Sequence, residues 1–237
     1  TDVQLASINA DGSLGSWNTI IGLTNDRMGY TFIAWQEGLY RLGGCRSFAG
    51  GSCSDTALDV DYGVINPDGE ASTVATSVTN NTGSPVAPCS GSDPYSCSIP
   101  SGTVYVGNAL NASVVMNGYL YIMGGCLDDD CNTQSTGITY QAIGSDGVLR
   151  KPLTCAGFYY HSYCVSSVSL PQAIGAPGVA TFGGRIYIVG GFTGAAIATN
   201  VRYVSVNYDG SLGSWASADL TTIGAVDMSY TFAYARA

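Results

Sequence analysis

Tyr119-Leu120-Tyr121-Ile122-Met123-Gly124-Gly125 is an apolar run halted by two glycines. The chain repeats it as Gly38-Leu39-Tyr40-Arg41-Leu42-Gly43-Gly44 and Arg185-Ile186-Tyr187-Ile188-Val189-Gly190-Gly191. Aromatic and β-branched residues suit a pleated strand, and a glycine doublet ends it because glycine adopts backbone angles that other residues avoid. Ahead of each copy lies another apolar segment, Tyr30–Trp35, Ala112–Met116 or Val179–Phe182, about two residues away. Two such runs with so short a link form a β-hairpin. After each doublet the sequence predicts a variable loop and then a third strand, over Leu58–Ile65, Ile138–Ile143 or Val201–Val206.

Each third strand runs into one turn pattern: Ile65-Asn66-Pro67-Asp68-Gly69, Ile143-Gly144-Ser145-Asp146-Gly147 or Val206-Asn207-Tyr208-Asp209-Gly210. A fourth copy, Ile8-Asn9-Ala10-Asp11-Gly12, lies near the N-terminus. Asp-Gly between apolar runs marks a hairpin, since both residues tolerate the positive φ such turns demand. The first and last copies continue identically as Ser-Leu-Gly-Ser-Trp, ending at Trp17 and Trp215. The pattern lacks the remaining ligand positions and closing Glu of a calcium loop, so these acids are assigned to turns.

A four-stranded antiparallel unit with a Gly-Gly stop and a late tryptophan resembles the kelch repeat of β-propellers. Gly43-Gly44, Gly124-Gly125 and Gly190-Gly191 match that family's doublet. Tyr62, Tyr140 and Tyr203 match its third-strand tyrosine, and Trp17 and Trp215 its fourth-strand tryptophan. Val74 and Pro152 stand at the tryptophan position of the other units. The resemblance implies an all-β fold, a kelch-type β-propeller over residues 1–237 with three full four-stranded blades. A split, incomplete blade would join Val3–Ile8 to Ser229–Ala237, which aligns with Gly29–Glu37. Two readings stay open: a small ring with a defective closing blade, or a segment of a larger propeller or array. In either, an unpaired edge offers a route to self-association. The Asp-Gly-Ser-Leu-Gly-Ser-Trp form also resembles the tandem kelch-like repeats of large bacterial surface proteins. Uneven spacing of the Asp-Gly turns is accommodated by inserts near 79–106 and 152–173.

Composition agrees with a chain built of strands. Of 237 residues 46% are hydrophobic, 32 are glycine and only 11% are charged, against roughly 25% charged in an ordinary soluble domain. That excludes a disordered chain and argues against long exposed helices, which carry many Lys and Glu. Eight Lys+Arg against 17 Asp+Glu give a net charge of −9, which opposes binding to nucleic acid or to an anionic membrane. No run approaches the roughly 18 apolar residues of a membrane span. Thr1-Asp2-Val3 has no basic leader, so neither a signal peptide nor membrane insertion is expected.

The eight cysteines fall into close pairs: Cys45 with Cys53, Cys89 with Cys97, Cys126 with Cys131, and Cys155 with Cys164. Each pair lies in a loop rich in Gly, Ser or Asp, and sequential disulfides are expected. Zinc would prefer tighter spacing and more histidine. Disulfides imply an oxidising setting, extracellular or at the cell surface.

Catalytic groups are few. His161, the single histidine, lies among tyrosines inside the Cys155–Cys164 loop and reads as a loop residue rather than a general base. Galactose-oxidase-like enzymes use kelch propellers, but their copper site takes two histidines. Sialidase-type propellers converge three arginines on a tyrosine; seven arginines are present, without aspartate-box repeats. Asp128-Asp129-Asp130 is a candidate calcium site, with a solvated loop as the alternative, and no other cofactor is implied. Asn80 and Asn111 satisfy the glycosylation sequon. Tyr95, Tyr159, Tyr160 and Tyr163 stand in the cysteine-bounded inserts, either to contact a partner or to fill beneath their own loops. The expected function is an extracellular binding or adhesion module presenting disulfide-pinned loops to a protein or glycan partner, without catalysis. The structural alternative is a subunit of an extracellular filament or surface layer joined through unpaired strand edges. The enzymatic alternative is a glycan-active hydrolase.

Overall fold

A computed structural model describes residues 2–22, 26–49, 52–56, 60–65, 71–75, 109–128, 131–160, 163–194, 196–198 and 200–218. These residues are all-β, with no helix among them. Strands β1 (Asp2–Leu5) and β2 (Asn18–Gly22) pair near the N-terminus. Three four-stranded antiparallel meanders follow. The first consists of β3 (Thr31–Trp35), β4 (Gly38–Leu42), β7 (Val60–Ile65) and β8 (Ala71–Ala75), with the ribbon β5 (Cys45–Ala49) and β6 (Ser52–Thr56) inserted after β4. The second is β9 (Ala112–Met116), β10 (Tyr119–Met123), β11 (Ile138–Ile143) and β12 (Leu149–Arg150). The hairpin β13 (Phe158–Tyr160) and β14 (Tyr163–Val165) is added to it. The third is β15 (Gly178–Phe182), β16 (Arg185–Val189), β17 (Val201–Ser205) and β18 (Ala216–Ala218). Among the described residues the sheets close into neither a barrel nor a propeller ring. Ser229–Ala237, which the repeat register assigns to the split blade, lie outside them.

The glycine doublets earn their recurrence geometrically. Both members take positive φ in every sheet, 60° and 97° at Gly43-Gly44 and 65° and 91° at Gly124-Gly125. A Cβ on the second glycine would stand 2.8–3.0 Å from the carbonyl oxygen of Met28, Ala109 or Gly175, on the strand leading into the sheet. Only glycine allows that approach.

The Asp-Gly turns differ in detail from the expectation. Gly12, Gly147 and Gly210 take positive φ, but the aspartates before them do not. Asp11 instead accepts from the Ser13 amide (2.9 Å) and hydroxyl (2.6 Å), and Asp209 from the Ser211 amide (3.0 Å) and hydroxyl (2.6 Å). The carboxylate thus holds a four-residue turn closed by the glycine N–H, as aspartate does in Asx turns. Asp68-Gly69 lies outside the described residues.

Alternation along the strands sorts the core. Leu120 and Ile122 of β10 pack with Tyr40 and Leu42 of the first sheet, while Tyr121 and Met123 pack with Ile186, Ile188, Val204 and Leu212 of the third. Side chains two apart share a face, so the second sheet is buried on both. Each sheet also carries a cross-strand tyrosine pair: Tyr40 with Tyr62, Tyr121 with Tyr140, Tyr187 with Tyr203. The Tyr40 hydroxyl donates to the Gly147 carbonyl (2.6 Å) and Tyr121 to that of Gly210 (2.7 Å), so the first and second sheets are each stitched to the Asp-Gly turn of the next. Burial pushes both hydroxyls well above the usual tyrosine range, so they stay donors.

The insert near 152–173 carries the β13–β14 hairpin, which extends the second sheet. β12 covers only Ala142 and Ile143 of β11, and β14 pairs with the open remainder at Thr139 and Tyr140. Pairing removes an exposed edge. The insert near 79–106 lies outside the described residues.

Candidate functional site

Register places the long connections at one end. Thr31, Leu42 and Val60 are opposite one another in the first sheet, as are Ala112, Met123 and Ile138 in the second and Gly178, Val189 and Val201 in the third. First strands therefore begin, second strands end and third strands begin at the same end. Tight turns such as Gln36-Glu37, Asn117-Gly118 and Gly183-Gly184 occupy the other, together with the Asp-Gly turns.

Cys45 and Cys126 lie at the loop end, whereas Cys164 lies opposite Tyr140 in mid-strand, with Tyr163 and Tyr160 further toward the other end. Cys126–Cys131 and Cys155–Cys164 are disulfides, with Cα atoms 4.8 and 5.6 Å apart. Cys45 is disulfide-bonded, and Cys53 lies on β6, the strand facing its own. Cys45 and Cys126 hold equivalent places after the glycine doublets, each bridged to the strand leading into its sheet; Phe192 takes that place in the third. Cys89 and Cys97 lie outside the described residues. Asp128 accepts from the Asn132 and Thr133 amides, both at 2.7 Å. Slight desolvation raises its pKa, but these hydrogen bonds and that from Cys131 outweigh it and hold the carboxyl below the usual range. Its oxygens thus brace their own loop; Asp129 and Asp130 lie outside the described residues.

The first strands of the three sheets, β3, β9 and β15, border a cleft of about 450 Å³ whose walls include Tyr30, Phe32, Trp35, Ser113, Pro177 and Thr181. At its loop-end rim a backbone staircase joins the sheets: the Leu110 N–H donates to the Gly29 carbonyl (3.0 Å), and the Ala176 N–H to that of Leu110 (2.7 Å). All three residues have positive φ, 64°, 55° and 48°. For Leu and Ala this costs on the order of 1 kcal/mol or more, held by the surrounding structure. Only Gly29 signals the conformation in the sequence.

Asn111 is buried beside this rim. Its side-chain oxygen accepts from the Thr31 hydroxyl (2.8 Å) and from Ser113 (3.1 Å), tying β3 to β9. The sequon asparagine is thus engaged by β3 and β9 within the folded chain. Tyr163 is likewise buried. Tyr159 and Tyr160 lie on β13 opposite Cys164 and Tyr163. Tyr95, Asn80 and His161 lie outside the described residues.

One charged cluster escaped the sequence. Arg41 on β4 donates to Asp61 on β7 through Nε (2.7 Å) and through Nη2, while Arg27 Nη2 lies 3.3 Å from the same carboxylate oxygen. Arg27 also donates to the Gly43 carbonyl (3.4 Å), which fixes the first glycine doublet. All three side chains are buried. The Arg41 guanidinium lies 5.9 Å from the ring centre of Tyr30, on the cleft wall. The available signal was register: Arg41 stands where the other units have Ile122 and Ile188. The cluster holds no nucleophile beside a base, and its carboxylate is engaged by both arginines.

No family model and no curated protein matches the chain. Among solved structures it is similar to one described as "Structure of YjhT", with a TM-score of 0.49 and 14% identity over 86% of this chain and 55% of that one. The chain thus spans about half the length of that neighbour.

Proposed function

We propose that the chain is a kelch-type β-propeller module, whole or in part, that binds a protein or glycan outside the cell without catalysis. The observation that carries this reading is the disulfide-pinned Cys126–Cys131 loop at the end where the cleft rim lies. A loop pinned by a disulfide loses less freedom on binding, so its contacts contribute more net affinity. The repeated four-stranded meander supports the propeller reading, and the disulfides support an oxidising setting. No described helix is long and apolar enough to cross a membrane. Arg27 and Arg41 are engaged by Asp61, which favours binding over the hydrolase alternative.

The test is a printed glycan array beside an array of surface and secreted proteins. The intact chain is compared with Cys126→Ser/Cys131→Ser at the loop end and Asp146→Ala at the turn end. The loop-end variant is expected to lose at least about tenfold in affinity, roughly 1.4 kcal/mol, with Asp146→Ala unchanged. Empty arrays, or binding lost only from the turn-end variant, would sink the reading.

A further inference from the structure

Two contacts inside the chain share one design. The tyrosine pair of the first sheet receives the Asp146-Gly147 turn, with Tyr40 bonded to Gly147 and Tyr62 to the Asp146 carbonyl (3.1 Å). The pair of the second sheet receives the Asp209-Gly210 turn through Tyr121. Both glycines press on tyrosine: a Cβ on Gly210 would stand 2.8 Å from the Tyr119 ring, and one on Gly147 would overlap Tyr62. Leu212 and Trp215 pack with the same core.

The third sheet carries the receiving half of this design. Tyr187 and Tyr203 pair across β16 and β17 with ring centres 5.6 Å apart, like Tyr121 and Tyr140. Ile186, Ile188 and Val204 point into the core against the second sheet, so Tyr187 and Tyr203 point away from it. Among the described residues no turn is seated on them. The N-terminal unit carries the inserting half. Asp11–Trp17 is identical to Asp209–Trp215, yet Ile8, Leu14 and Trp17 are 76%, 57% and 61% exposed, and a Cβ on Gly12 would meet nothing within 4 Å.

We propose that the Tyr187–Tyr203 face receives the Asp11-Gly12 turn of a second copy of this chain, giving head-to-tail assembly. Among the described residues turn and face are both open, so a contact between them is heterologous and propagates. Charge supports the match. Arg185 holds the β16 position that Tyr119 holds on β10, and its guanidinium lies 4.8 Å from the Tyr203 ring centre. Where Asp209 meets Tyr119 within the chain, Asp11 of the second copy meets a cation. The contact uses a sheet face, not an unpaired strand edge, and is independent of the loop-end reading.

Sedimentation velocity from nanomolar to submillimolar protein tests this. The intact chain is expected to assemble progressively, and less so with added salt. Gly12→Asn keeps the positive φ that asparagine tolerates and adds a side chain to empty space, so the chain folds but its turn no longer docks. Arg185→Glu, on an exposed residue, disables only the face. Each variant alone is expected to stay monomeric, with unchanged circular dichroism, at concentrations at least about tenfold above those at which the intact chain assembles. Their equimolar mixture should form a heterodimer and grow no further, since one turn and one face remain intact. A strictly monomeric intact chain, as intramolecular closure would give, overturns the proposal. So does assembly that survives in either variant alone, as edge pairing would give, or a mixture that stays monomeric.

Discussion

Asp11–Trp17 and Asp209–Trp215 are the same seven residues in two surroundings. Their local geometry is nearly superimposable: φ is 82° at Gly12 and 83° at Gly210, and Asn9 and Asn207 each donate to the serine four residues on at 2.9 Å. Their burial is not. Leu14 is 57% exposed and Leu212 6%, and Trp17 is exposed where Trp215 is half-buried. The turn's shape is therefore written within the segment, whereas its contribution to stability depends on whether a tyrosine-bearing sheet stands opposite.

Substitutions made in both copies sharpen this contrast. Leu212→Ala should cost about 2–4 kcal/mol through lost burial and a residual cavity, and Leu14→Ala less than about 0.5 kcal/mol, read from urea midpoints. Similar losses at both sites would erase the distinction. Gly210→Asn forces a side chain against Tyr119 and should cost about 1–3 kcal/mol; Gly12→Asn should change little in dilute solution. The smallest effect should be shared. Hydrogen bonds from Ser13 and Ser211 hold Asp11 and Asp209 below the ordinary carboxyl range. A depressed folded pKa gives a contribution that is complete above the ordinary aspartate value and lost as pH falls through the folded one. Amide shifts of Ser13 and Ser211 should therefore titrate together in acid. Separate titrations would show that the neighbouring sheet alters the turn itself.

Short-range features were legible in the sequence. Strands such as Ala112–Met116, Tyr119–Met123 and Arg185–Val189 follow from apolar runs, and their ends from the Gly-Gly and Asp-Gly steps. What escaped joins distant residues. The tyrosine-to-turn bonds span 107 and 89 positions, and Arg41 meets Asp61 across 20. No periodicity records such partners. The β13–β14 hairpin escaped for a related reason: its pairing depends on how little of β11 is covered by β12, which is a property of the assembled sheet. Local sequence left open whether Tyr163 faces a partner or fills beneath its own loop, and its burial comes from neighbouring elements.

The most direct test of the tyrosine stitch removes one hydroxyl at a time and compares urea unfolding at concentrations below any assembly. Tyr121→Phe leaves the Gly210 carbonyl without its donor and should lower stability by about 1–3 kcal/mol, while Tyr187→Phe should leave the midpoint unchanged. Equal losses in both variants, or none in either, would contradict the account.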